Sequence, residues 1–124
     1  MDNISHILVV SSEESFGGLV AYVLEAAGFV VKNVRNKKEM EYLLRSNVNN
    51  HFDLMIIHND TRGMDTIDLL ESIRNIGEYE RTPVILQDKE WTLEIIEGAQ
   101  KFNAVLLKDN VGKLPEIVGM LLRK

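Results

Sequence analysis

The chain has 124 residues, of which 45% are hydrophobic and 27% charged, and 14 Lys+Arg against 19 Asp+Glu give a formal net charge of −5. This length fits a single domain over residues 1–124, and the composition excludes a disordered or fibrous chain. The absence of cysteine excludes a disulfide scaffold, a thiolate metal site and a cysteine nucleophile, and the acidic balance argues against a nucleic-acid-binding domain.

Five short apolar runs, each a predicted strand, alternate with five segments whose apolar residues recur at helical spacing. The predicted strands are Ile7–Val10, Phe29–Val31 with Val34, Leu54–Ile57, Pro83–Leu86 and Ala104–Leu107. The apolar residues of the predicted helices run from Phe16 to Ala27, Met40 to Leu44, Ile67 to Ile76, Leu93 to Ala99 and Ile117 to Leu122. Gly28 is expected just past the end of the first helix, and Pro115 in the first turn of the last.

A helix after every strand predicts an α/β fold, a doubly wound five-stranded parallel sheet with helices on both faces. Functional groups of such sheets gather at the carboxyl ends of the strands. The strand ends to consider are Ser11-Ser12, His58-Asn59-Asp60, Gln87-Asp88-Lys89 and Lys108-Asp109.

Signatures of the common enzyme and targeting classes are missing from the sequence. It has no glycine-rich phosphate loop, no HExxH pair and no G-x-S-x-G elbow, so we expect neither an enzyme nor a bound cofactor. The first residues lack the basic and long apolar regions of a signal peptide, and no apolar run approaches the ~20 residues that cross a bilayer. We therefore expect a cytoplasmic protein without membrane contact.

Four segments resemble bacterial response-regulator receiver domains of the CheY-like type, in the right order and over essentially the whole chain. Residues 52–66 read FDLMIIHNDTRGMDT and resemble that family's PDLILLDLMMPGMDG. Residues 7–14, ILVVSSEE, resemble ILVVDDEP; residues 82–88, TPVILQD, resemble TPVIxLT; and residues 104–108, AVLLK, resemble DYLLK. The resemblance implies a flavodoxin-like (βα)5 receiver.

The chemistry of the resembling segments departs from the family. Receivers hold Mg²⁺ with two acids after the first strand, phosphorylate an aspartate on the third, contact the phosphoryl group with a Thr or Ser after the fourth, and pair it with a lysine after the fifth. The corresponding residues here are Ser11 and Ser12, His58, Asp88 and Lys108, so that only the lysine is retained.

These replacements predict a degenerate phosphorylation pocket without metal. Mg²⁺ prefers carboxylate oxygens in octahedral geometry, whereas two hydroxyls and an imidazole supply no negative charge. Metal-dependent aspartyl phosphorylation should therefore be lost, and the chain should be an atypical receiver, or pseudo-receiver. Asp88 and Lys108 are expected to form a standing ion pair.

Two alternatives to this interpretation stay open. The domain could still accept a phosphoryl group on His58, or on Asp60 with Glu13 or Glu14 as metal ligands. It could instead be a flavodoxin-like domain that binds a small ligand at the same strand ends, although none of its loops resembles a phosphate cradle.

The function expected from the sequence is a phosphorylation-independent protein-interaction module in bacterial two-component-type signalling, with a protein partner or an output domain. The resemblance implies dimerisation and target docking through the last two helices and strand five, which here means Leu93–Phe102, Val105 and Asn110–Lys124. Trp91, Phe102 and Val105 are candidate partner contacts, and Tyr79 a further candidate anchor.

Overall fold

The computed structural model describes residues 4–46, 51–59, 65–108 and 110–123, and its centre is one parallel sheet. The strands lie in the order β2-β1-β3-β4-β5. Their bounds are β1 His6–Val10, β2 Val30–Val34, β3 Leu54–His58, β4 Val84–Asp88 and β5 Val105–Lys108. The chain moves outward from β1 to β2 and then crosses back to β3, so the connection reverses direction between β1 and β3. The predicted fold class is confirmed.

A helix follows every strand, as the apolar periodicity predicts. The helices are α1 Glu14–Ala26, α2 Lys37–Ser46, α3 Thr66–Arg74, α4 Leu93–Lys101 and α5 Leu114–Leu122. Gly28 follows the C-cap of α1 with φ 101°, a left-handed conformation in which a side chain would be strained, and Pro115 lies in the first turn of α5. None of the helices among the described residues is both long and apolar enough to span a membrane.

The helices cover the two faces of the sheet and form two core layers. Alternate residues of the inner strands, such as Ile7 and Leu8, point into opposite layers, which explains why these strands are apolar without interruption. One layer packs against α1 and α5, and the other against α2, α3 and α4.

Several residues lie where the apolar pattern did not place them. Ile76 follows the end of α3 and is buried beside a 3₁₀ turn over Gly77–Tyr79, not within a helix. Tyr79, predicted as a possible partner anchor, is fully buried, and its hydroxyl accepts a hydrogen bond from the Phe52 amide (3.4 Å). Leu93 belongs to the predicted apolar stripe of α4 but is 70% exposed.

Candidate functional site

The carboxyl ends of β1, β3 and β4 bring together three of the residues predicted for the site. Ser11 directly follows β1 and is buried, while its partly buried neighbour Ser12 lies in the bend before α1. His58 and Asp88 are the last residues of β3 and β4, and both are buried. The strands therefore gather Ser11, His58 and Asp88 at the carboxyl-terminal end of the sheet, as predicted.

The His58 imidazole is enclosed and is 3% exposed. Its ring stacks on the Phe16 ring of α1 with centroids 3.8 Å apart. Its Nδ1 lies 3.3 Å from Glu13 Oε1 and 3.4 Å from Ser11 Oγ. The His58 side chain is thus packed against an aromatic ring and has polar neighbours on the β1–α1 connection.

Ser11 and Glu13 make different contacts at the start of α1. Glu13 occupies the N-cap position but makes no capping hydrogen bond with its side chain. The Glu13 amide instead donates to Ser11 Oγ at 3.1 Å, a local turn typical of serine. The carboxylate of Glu13, a predicted alternative metal ligand, can therefore face His58.

Asp88 is the end of a hydrogen-bond chain that the sequence did not predict. Asn59 Nδ2 donates to Asp88 Oδ2 at 2.5 Å, and the Lys89 amide donates to Asp88 Oδ1 at 2.6 Å. Thr66 Oγ1, at the start of α3, donates to Asn59 Oδ1 at 2.5 Å. These hydrogen bonds connect α3, the end of β3 and β4, and the polar Asn59, two residues after the third apolar run, was the signal that could have pointed to them.

The predicted ion pair between Asp88 and Lys108 is wrong. The two residues are register neighbours on β4 and β5, but no contact between their charged groups is found among the described residues. Both carboxylate oxygens of Asp88 already accept short hydrogen bonds, and Lys108 is exposed. An exposed lysine gains little from an ion pair, because the attraction is weak in water and pairing fixes a long side chain.

Gln87, which the sequence places at the end of the fourth predicted strand, is a further polar residue of this region. It is fully buried in β4 and is the register neighbour of His58 on β3. Within the described part of the chain, neither polar atom of its side-chain amide has a hydrogen-bond partner. Buried amides are rarely left unpaired, because desolvation is then uncompensated.

The described residues at these strand ends do not fit a Mg²⁺ ion. Asp88 already uses both oxygens, the Glu13 carboxylate faces an imidazole, and the other groups are hydroxyls and an amide. Among residues 4–46, 51–59, 65–108 and 110–123, no three His, Asp or Glu side chains converge as metal ligands would. Asp60, the alternative acceptor, lies outside the described residues.

The candidate partner contacts divide into two kinds. Trp91 and Phe102 are partly buried and pack against the core layer under α2, α3 and α4. Val105 is exposed at the sheet edge. Trp91 and Phe102 therefore contribute to the core with part of their surface, whereas Val105 does not, and all three stay predictions as partner contacts.

The fold is shared with solved receiver structures over nearly the whole chain. The low-pH structure of chemotaxis protein CheY4 from Vibrio cholerae matches with a TM-score of 0.87 at 20% identity, covering 97% of this chain and 100% of that one. A CheY-like receiver domain protein from Methanospirillum hungatei gives 0.85 at 19% identity, covering 97% and 94%. A two-component response regulator from Clostridium difficile gives 0.84 at 20%, covering 97% of each chain. The chain has the receiver fold.

The sequence comparisons cover a smaller part of this chain than the structural comparisons do. No protein-family model matches the chain. The phosphate regulon transcriptional regulatory protein PhoB of Rhizobium meliloti (strain 1021) is 35% identical over 80 residues, which are 64% of this chain. The matched region is 34% of PhoB, so this chain spans about a third of that relative.

Proposed function

We propose that this chain is a receiver-type domain of two-component signalling that acts through protein contacts and takes no phosphoryl group. The receiver fold over the whole chain and the similarity to part of PhoB support the signalling class. The contents of the strand-end pocket support the loss of phosphoryl transfer.

The proposal rests mainly on the burial and the contacts of the His58 side chain. A phosphoacceptor must present its nucleophilic atom to the donor in line with the departing group. The His58 ring is buried and stacked on Phe16, and its Nδ1 already faces Glu13 and Ser11. Phosphorylation at Nδ1 would require this packing to open.

Asp88 supports the same conclusion from β4. Where the resemblance implies a hydroxyl that donates to a phosphoryl oxygen, this chain has a carboxylate, which would repel one. Both Asp88 oxygens are engaged, by Asn59 and by the Lys89 amide. The side chain expected to move on phosphorylation is tied in one position.

Intact mass spectrometry after incubation with acetyl phosphate and Mg²⁺ tests the proposal. The natural chain should gain no phosphoryl group. A comparison variant with Ser11→Asp, Ser12→Asp, His58→Asp and Asp88→Thr restores the residue types of the receiver pattern and should gain one, with circular dichroism confirming its fold. An adduct on the natural chain would contradict the proposal: acid lability would indicate His58, and hydroxylamine lability would indicate Asp60.

We further propose that a second copy of the chain docks on the face formed by α4, β5 and α5. Large apolar side chains are exposed on each of these elements, including Leu93, Val105 and Met120. In sedimentation experiments, Val105→Arg should shift the chain toward monomer. Leu19→Arg, at an exposed position of α1, should not. An unchanged association state in Val105→Arg would contradict this docking face.

A further inference from the structure

Strand β2 forms one outer edge of the sheet. It pairs with β1 and stands at the end of the strand order, so within the described residues its other edge faces no strand. An open strand edge carries unpaired N–H and C=O groups that can bind a further strand. Val30, Lys32 and Asn33 are all exposed along this strand.

A largely apolar groove of about 470 Å³ runs beside this edge, between β2 and α2. Its apolar lining comes from Val34, Tyr42 and Leu43, and the Tyr42 ring is 72% exposed. The volume lies within the ~300–1,000 Å³ typical of ligand clefts. The groove can therefore take an apolar side chain of a peptide whose backbone lies on the edge of β2.

The groove is positively charged, although the whole chain carries a formal charge of −5. Lys32 and Lys38 line it, together with one acid, Glu39. Arg35 neutralises that acid, because its guanidinium lies 3.6 Å from the Glu39 carboxylate and its amide donates to the same group at 2.9 Å. Neither lysine makes an ion pair among the described residues, so both charges are available to a ligand.

We propose that the β2 edge binds an extended acidic peptide as an additional strand. The peptide backbone would pair with β2, an apolar side chain would enter the groove beside Tyr42, and carboxylates would reach Lys32 and Lys38. A second copy of the chain fits poorly, because a two-fold interface brings each patch against itself and would place these lysines against their own copies. This site is at the opposite sheet edge from the α4–β5–α5 face and does not depend on the function proposed above.

The probe is a capped, fluorescein-labelled peptide in which glutamates alternate with valine and leucine, measured by fluorescence anisotropy at low salt. It should bind, whereas the same peptide with lysine in place of glutamate should not. An N-methylated version, which lacks alternate backbone donors, should bind about tenfold more weakly if strand pairing supplies the affinity. Hydrogen exchange with the bound peptide should slow at the amides of β2.

Charge-reversal variants locate the site. Lys32→Glu and Lys38→Glu should each weaken binding about fivefold or more, whereas Lys113→Glu, at an exposed lysine of the 3₁₀ turn Val111–Lys113 after β5, is the matched control and should not. Equal binding of the acidic and basic peptides, no binding of either, a loss in Lys113→Glu equal to that in Lys32→Glu, or exchange protection at β5 in place of β2 would each overturn the proposal.

Discussion

His58 stacks on Phe16 with the two ring planes 5° from parallel and their centroids 3.8 Å apart. The contact joins the end of β3 to the first turn of α1, so it closes one end of the core layer that packs against α1 and α5. An anion at the same position would meet the negative face of the ring. At the position that the sequence resemblance aligns with the family's phosphoacceptor, this chain has a packed aromatic contact.

His58→Asp should therefore destabilise the chain, although it restores the residue type of the receiver pattern. The carboxylate would be buried against Phe16 and near Glu13, and we expect a loss of about 2–3 kcal/mol of unfolding free energy at neutral pH. Urea unfolding measures this loss, with His58→Asn as a neutral control of similar size. The two variants should differ less at low pH, where the aspartate is protonated; equal stability at neutral pH would show that the pocket tolerates an anion.

Asn59 and Asp88 should be energetically coupled. A double-mutant cycle with Asn59→Ala and Asp88→Ala should give a coupling of about 1–2 kcal/mol, because each single change strands a mostly buried polar group. The cycle of Asp88→Ala with Lys108→Met is the control, and it should be additive within about 0.5 kcal/mol. A coupling that appears in the Lys108 cycle and not in the Asn59 cycle would contradict the observed hydrogen bonding.

The surroundings of Asp88 also show which features the sequence predicts and which it does not. The order and type of the five strands and five helices follow from apolar runs that end at glycine, proline or polar residues, because parallel strands covered on both faces have no polar side. The partner of Asp88 does not follow, because both Asn59 and Lys108 end neighbouring strands. Choosing between them depends on the solvation of a flexible lysine and on Thr66, which orients Asn59 from α3.

The two edges of the sheet were harder to predict than its centre. Val30 belongs to an apolar run typical of a core strand, but it lies on a strand with one neighbour and is exposed, as is the candidate partner contact Val105. Gln87 directly follows the fourth apolar run in the sequence, yet β4 continues through Asp88, because pairing with both β3 and β5 maintains the strand. Burial at these positions is set by neighbours that are distant in sequence.

Replacing Gln87 by an apolar residue of similar shape should stabilise the chain. Both polar atoms of its buried amide lack a hydrogen-bond partner among the described residues, so Gln87→Met removes a desolvation cost of about 1–2 kcal/mol. Chemical unfolding tests this, with the exposed Gln100→Met as the control that should change stability little. A loss of stability in Gln87→Met would show that the amide is paired in solution.

Arg74 should be among the most sensitive positions outside the pocket. From the last turn of α3 its guanidinium donates to the carbonyls of Tyr79 (2.9 Å), Thr82 (2.7 Å), Phe102 (2.8 Å) and Asn103 (3.1 Å). Arg74→Met leaves these acceptors without their donor and should cost about 2–4 kcal/mol, whereas the exposed Arg81→Met should cost little. Equal thermal denaturation midpoints for the two variants would contradict this role.

The buried phenol of Tyr79 should make the chain less stable in alkali. Burial raises the pKa of Tyr79; the nearby acids Glu78 and Asp53 add to that rise, and the hydrogen bond from the Phe52 amide opposes it. Because the unfolded phenol ionises near pH ~10 and the folded one at higher pH, its stabilising contribution is complete below pH ~10 and is lost as the pH rises through the folded pKa. Lysines also titrate in this range, so the informative quantity is the difference between variants.

Tyr79→Phe should lose about 1 kcal/mol at neutral pH with the hydrogen bond from Phe52. It should then lose less stability than the natural chain between neutral pH and pH ~11, because phenylalanine has no proton to release. Tyr42→Phe, at an exposed position, should follow the natural chain throughout. Urea midpoints collected across the pH range decide the question: if the curves of the natural chain and Tyr79→Phe stay parallel, the buried phenol does not contribute to the alkaline loss.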